Sequence, residues 1–195
     1  IRLYDYQKEM MGKIDTAFKS CQSVMVQMPT GTGKTVLLTE VVKNEKERVK
    51  NPCVWIVVHR RELVEQIRET LETMLNCSSS TPDTTTSFLL DDSRIKVMSI
   101  QWLSRHYQEM EEMPSLIVID EAHHAVAKTY KEVMDAYPEA KKLGLTATPC
   151  RLTRRGFTDL FDVLLQSWSA KKLIADGWLS LYDYMSIRED SEDWR

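Results

Sequence analysis

A chain of 195 residues can hold one domain with a substantial core, and its 43% hydrophobic and 28% charged residues are the mix of an ordinary globular protein. No apolar run approaches the roughly 18 residues that span a bilayer, which argues against a membrane partner. A net charge of −3 excludes a surface that is basic throughout, so a phosphate backbone would have to be met by local patches.

The chain opens on Ile1-Arg2-Leu3-Tyr4, without an initiator Met and without a secretory signature. The expectation is a stretch of a longer, cytoplasmic protein. Helical periodicity is expected over residues 4–20, followed by a buried strand at 24–28 and a second helix at 34–50. A strand at 53–58, a helix at 61–75 and a Ser/Thr-rich loop at 76–92 follow, the loop with a short strand at 87–90. Strands at 95–100, 116–120 and 142–146 alternate with helices at 101–109 and 128–137. After Pro149 the pattern weakens to short helices at 156–161 and 170–175, an edge strand at 181–187 and a polar run at 188–195.

This alternation predicts an α/β fold, with a mostly parallel sheet flanked by helices on both faces. Ligands of such sheets sit beyond the carboxyl ends of the strands. The domain is expected to cover residues 1–187, with 188–195 as a tail or linker. Cys21, Cys53, Cys77 and Cys150 lie far apart and form no CxxC pair, so reduced thiols are expected rather than a disulfide framework or zinc site.

Met28-Pro29-Thr30-Gly31-Thr32-Gly33-Lys34-Thr35 follows a strand and opens a helix. The glycines let the backbone curl so that its N–H groups point at phosphate oxygens, and the helix N-terminus adds partial positive charge. Lys34 has the reach for the β and γ phosphates, and Thr35 offers a hydroxyl to Mg²⁺. The strict phosphate-loop pattern has Gly six residues before the lysine, where this chain has Met28. Downstream, Leu116-Ile117-Val118-Ile119-Asp120-Glu121-Ala122-His123-His124 sets two carboxylates just past an apolar strand. Asp120 suits the magnesium of an ATP complex, and Glu121 suits a general base for the attacking water. His123 and His124 are adjacent and fit no HExxH spacing, so they are not expected to bind a metal.

With these motifs in order, residues 2–153 resemble a superfamily-two helicase of the DEAD/DEAH class. The resemblance is to the branch of type III restriction enzyme motor subunits and related DNA-repair helicases. It implies a RecA-like P-loop NTPase domain that binds ATP and Mg²⁺. Gln7 matches the family's adenine-reading glutamine. Three residues earlier many relatives have an arginine that stacks on the base; Tyr4 stands there, with Arg2 as another candidate and core packing as the alternative for Tyr4 and Tyr6. Asp120 to His123 reads DEAH, and the resemblance gives His123 the coupling of the γ-phosphate to domain movement. It assigns nothing to His124.

Leu145-Thr146-Ala147-Thr148-Pro149 resembles the motif whose hydroxyls, here Thr146 and Thr148, link the DEAH box to the nucleic-acid track. Arg60 and Arg61, after the second strand, and Ser99 and Gln101, after the third, match motifs that grip the phosphate backbone. Such contacts position a strand without reading bases. Lys141, Lys142, Arg151, Arg154 and Arg155 form a basic cluster, which either extends that track or is a solvated face. Helicases of this class pair two RecA-like domains, so the resemblance implies a second one as partner, bringing arginine fingers. The leading functional reading is a DNA helicase or translocase. An RNA helicase and a non-motor nucleotide switch stay open as alternatives.

Overall fold

A computed structural model describes residues 2–76, 94–126, 128–148 and 160–180. Among these residues six strands form one parallel sheet: β1 (Ser23–Gln27), β2 (Val54–Val58), β3 (Ile95–Ser99), β4 (Leu116–Asp120), β5 (Lys141–Thr146) and β6 (Val163–Gln166). Their spatial order is β3-β2-β4-β5-β1-β6. The helices are α1 (Asp5–Ala17), α2 (Lys34–Arg48), α3 (Leu63–Asn76), α4 (Ile100–His106), α5 (Lys128–Asp135) and α6 (Ala170–Ala175). Short 3₁₀ segments follow α4 at Tyr107–Glu109 and β4 at Ala122–Val126.

The continuous apolar strands are explained by burial on both faces of the sheet. Alternate residues of β2 show it. Val54 and Ile56 point to a core formed with Met10 of α1, Leu38 of α2, Leu71 of α3 and Leu173 of α6. Trp55 and Val57 point to the opposite core, with Leu103 of α4 and Val133 of α5. β1 and β4 divide their residues between the two cores in the same way.

The expected α/β architecture is present, with element ends displaced by a few residues. The exception is β6, a strand that periodicity missed. Its four residues pair with β1 in the register Val24↔Val163 to Gln27↔Gln166. Asp162 anchors its start: Oδ2 accepts from the backbone N–H groups of Gln22 (2.9 Å) and Ser23 (3.0 Å). A helix was expected across 156–161, but Leu160 and Phe161 are non-helical and lead into β6. The loop strand at 87–90, the edge strand at 181–187, the tail and the arginines of the 151–155 cluster lie outside the described residues. So do Cys77 and Cys150.

The lysines of that basic cluster are corrected by the fold. Lys141 and Lys142 begin β5, whereas Thr146 ends it, so they sit at the opposite edge of the sheet. Lys142 is buried, and its Nζ donates to the carbonyls of Tyr137 (2.8 Å) and Ala140 (3.2 Å). Lys141 lies over the ring of Phe18. Neither extends a track that begins at Thr146.

Candidate active site

β5 lies between β1 and β4, so the loop after β1, the acidic pair after β4 and Thr146 at the end of β5 share one edge of the sheet. The register sets Gln27 beside Thr146 and Asp120 beside Leu145. Met28 continues the pairing, its N–H donating to the Thr146 carbonyl at 2.9 Å. A motif read in three separate stretches of chain is therefore one surface.

The phosphate loop takes its curl from Gly31 and Gly33, at φ 81° and 80°, in the left-handed region that side chains disfavour. Gly33 is also a close approach: a Cβ there would stand 2.5 Å from Gln7 Nε2. Gln7 is buried at 2% exposure, its Oε1 accepting from the Tyr4 N–H (2.9 Å) and its Nε2 donating to the Thr32 carbonyl (3.0 Å). The Tyr6 hydroxyl donates to the same carbonyl, also at 3.0 Å. Gln7 and Tyr6 thus tie the start of α1 to the loop. Thr30 is exposed at its rim, while Lys34 and Thr35 open α2 and are partly buried.

Lys34 and the carboxylates form one electrostatic group. Burial lowers the pKa of the Lys34 amine, against the pull of Glu121 and Asp120. Burial raises that of the Asp120 carboxyl, and the Glu121 charge adds to the rise. A negatively charged, magnesium-bearing ligand would relieve both, since it offers the amine an anion and the carboxylate a cation. Oxygen donors such as the Thr35 hydroxyl and the Asp120 carboxylate suit magnesium, which takes few protein ligands and keeps phosphate oxygens and water. The residues present therefore fit Mg-ATP.

Glu121 turns the chain sharply, with φ 51°. That turn leads into the 3₁₀ segment carrying His123, whose Nδ1 lies 2.9 Å from Thr146 Oγ1 and 3.4 Å from a Glu121 carboxylate oxygen. Burial lowers the His123 pKa to about 4, with His124 and His59 contributing, so the ring is neutral near pH 7. Thr146 Oγ1 also accepts from the Thr148 N–H at 3.1 Å. His123, Thr146 and Thr148 are thus joined in one chain of hydrogen bonds.

Towards β2 and β3, His124 stacks on His59 with ring centres 4.3 Å apart, and His123 lies 4.1 Å from His124. Gln101 Nε2 donates to the His59 carbonyl at 2.8 Å. Arg60, Arg61, Ser99 and Gln101 line a cleft of about 1230 Å³ that runs along β3 between the start of α3 and α4. The Ser99 hydroxyl accepts from the Trp102 N–H at 3.2 Å and so caps α4. The two histidines bridge the acidic pair to this cleft, and adjacency in sequence gave no sign of it.

Two further residues at the loop escaped the sequence reading. Trp178 lies 4.8 Å from the Tyr4 ring, both substantially exposed, and Leu179 packs against Gly31. Their only sequence signal is an exposed aromatic beside Gly177, far from every motif.

Residues 1–151 match the family model described as type III restriction enzyme, res subunit. The chain is 30% identical over 165 residues to a 51.5 kDa protein of Lactococcus phage (isolate 7-9), covering 84% of this chain and 32% of that protein. It is 27% identical over 201 residues to the type I restriction enzyme EcoAI endonuclease subunit of Escherichia coli, covering 97% and 25%. Among solved structures it is similar in fold to the Sulfolobus solfataricus SWI2/SNF2 ATPase core in complex with dsDNA. The TM-score is 0.63 at 18% identity, over 83% of this chain and 35% of that one. The chain spans a third or less of the length of these curated relatives.

Proposed function

The chain belongs to the type III restriction enzyme res-subunit family, and on that premise we propose that its ATP site drives a DNA helicase or translocase by hydrolysis. The chain itself is the ATP-binding, RecA-like domain of a nucleic-acid-dependent ATPase. The observation that carries the proposal is continuity along one sheet edge. The phosphate loop after β1, Thr146 at the end of β5 with its His123 bond, and the acidic pair at the end of β4 follow one another along it, and the His59–His124 stack leads on to the arginine-lined cleft.

In this mechanism the loop N–H groups of Thr30 to Thr35 and the Lys34 amine bind the phosphates. Thr35 and Asp120 would hold magnesium, which offsets charge on the phosphate oxygens. Glu121 orients the attacking water and accepts its proton. Tyr4, with Trp178 beside it, would carry the base, and Gln7 holds the loop to the start of α1. His123 senses the γ-phosphate end of the site and passes a change to Thr146 and Thr148. Arg60, Arg61, Ser99 and Gln101 grip a phosphate backbone without reading its sequence. A second RecA-like domain would close over the nucleotide and supply arginine to the transferred phosphoryl group.

The test is the ATPase rate of the full-length protein with no nucleic acid, single-stranded DNA, duplex DNA and RNA. Stimulation by DNA is the expected result; stimulation by RNA alone would replace the substrate, and none would remove the motor. Glu121→Gln is expected to abolish turnover while ATP still binds, as measured by nucleotide titration. Unchanged turnover in that variant would overturn the mechanism.

A further inference from the structure

The cleft along β3, between the start of α3 and α4, combines charge with an aromatic surface. Five cations line it, namely Arg60, Arg61, Arg68, Lys96 and Arg105, against the carboxylates of Glu62 and Glu65. Arg68 is paired with Glu65 at 3.8 Å and Lys96 with Glu112 at 2.9 Å. Among the described residues that line the cleft, this leaves Arg60, Arg61 and Arg105 with Glu62, a local positive excess in a chain of net charge −3. Local excess of this kind attracts an anionic chain despite the total.

On the same wall Trp102, in the first turn of α4, is 46% exposed. It is held flat rather than left free. The His106 ring, one helical turn on, lies 4.4 Å away at an interplanar angle of 14°, and His106 Nδ1 is 2.7 Å from the Trp102 carbonyl. One indole face is thus backed, and the other is presented beside Gln101 and the arginines. Backing lowers the entropy lost when a second flat ring stacks on it. Phosphate contacts alone need no such surface, and the paired bases of a duplex do not offer their faces.

We infer that Trp102 is a stacking platform for an unpaired nucleobase, so that the cleft takes a single-stranded segment with Arg60, Arg61 and Arg105 on its phosphates. The inference rests on the nucleic-acid reading above and adds the class of strand.

Binding of the chain to a fluorescently labelled single-stranded oligothymidylate, and to an abasic strand of equal length and charge, is measured by anisotropy at one salt concentration. Trp102→Ala is expected to weaken the base-bearing strand by roughly fivefold to a hundredfold, the range for loss of one base–aromatic stack. The same variant should leave the abasic strand unchanged, and Trp102→Phe should restore most of the loss. Equal weakening on both strands, or none on either, would overturn the platform while the nucleic-acid reading stands. Wild-type protein that binds neither strand but binds a duplex of the same length would overturn the platform alone, and protein that binds none of the three would overturn both.

Discussion

His123 is the residue where the two halves of the site meet, and its charge state is set by its surroundings. Burial holds its pKa near 4, below the ordinary 6.5. Between those values the unfolded chain binds a proton that the folded chain excludes. Stability from this group is therefore full above pH 6.5 and lost as pH falls towards 4. His59 is lowered for the same first reason, burial, and adds in the same direction. Thermal melts from pH 7 to 4 are expected to show a steeper fall in Tm for the wild type than for His123→Asn. Parallel curves would mean the histidine is not held neutral. The Gln7 amide teaches a second lesson at this scale. Sequence resemblance points it at a base, while its two observed hydrogen bonds go to Tyr4 and Thr32.

Among the elements, β5 is the one on which the site is aligned. Gly144 stands at its centre because neighbours from both sides come too close for a side chain. A Cβ there would be 2.7 Å from Ala122 Cβ and 2.7 Å from Phe161 Cζ. This contact seats the 3₁₀ turn after the acidic pair against the sheet. Gly144→Val is expected to destabilise the fold by about 1–3 kcal/mol through overpacking. It should appear as a lower urea midpoint with an unchanged m-value. An unaltered midpoint would show that the turn can move aside. β6 was illegible for a physical reason. Four residues carry too little period to distinguish a strand from a loop, and their pairing depends on Asp162 meeting Gln22 and Ser23, 140 and 139 positions away.

On the scale of the whole molecule, the candidate nucleotide site follows the carboxyl edge of the sheet. The family resemblance implies that a second RecA-like domain completes it, and such an arginine contributes about 10³–10⁵ in rate to phosphoryl transfer. This chain alone is accordingly expected to bind ATP yet turn it over at least about 10³-fold more slowly than the full-length protein with DNA. A steady-state comparison of the two checks this, and comparable rates would show that the site is complete without a partner domain.

Strands β1 to β5, the phosphate loop and the DEAH sequence were determined by the sequence itself, because each depends on local order. A buried strand needs a run of apolar residues, an anion-binding turn needs glycine at positive φ, and a carboxylate pair needs only to follow a strand. Only tertiary structure decided the strand order, and with it the meeting of Thr146 with His123 and of β1 with Asp162. It also buried Lys142 at the far edge, stacked His59 on His124 and set Trp102 among arginines from α3 and the loop before it. The meetings of Thr146 with His123, of β1 with Asp162 and of His59 with His124 join residues distant in the chain, and their geometry follows from how helices pack on a sheet rather than from any local period.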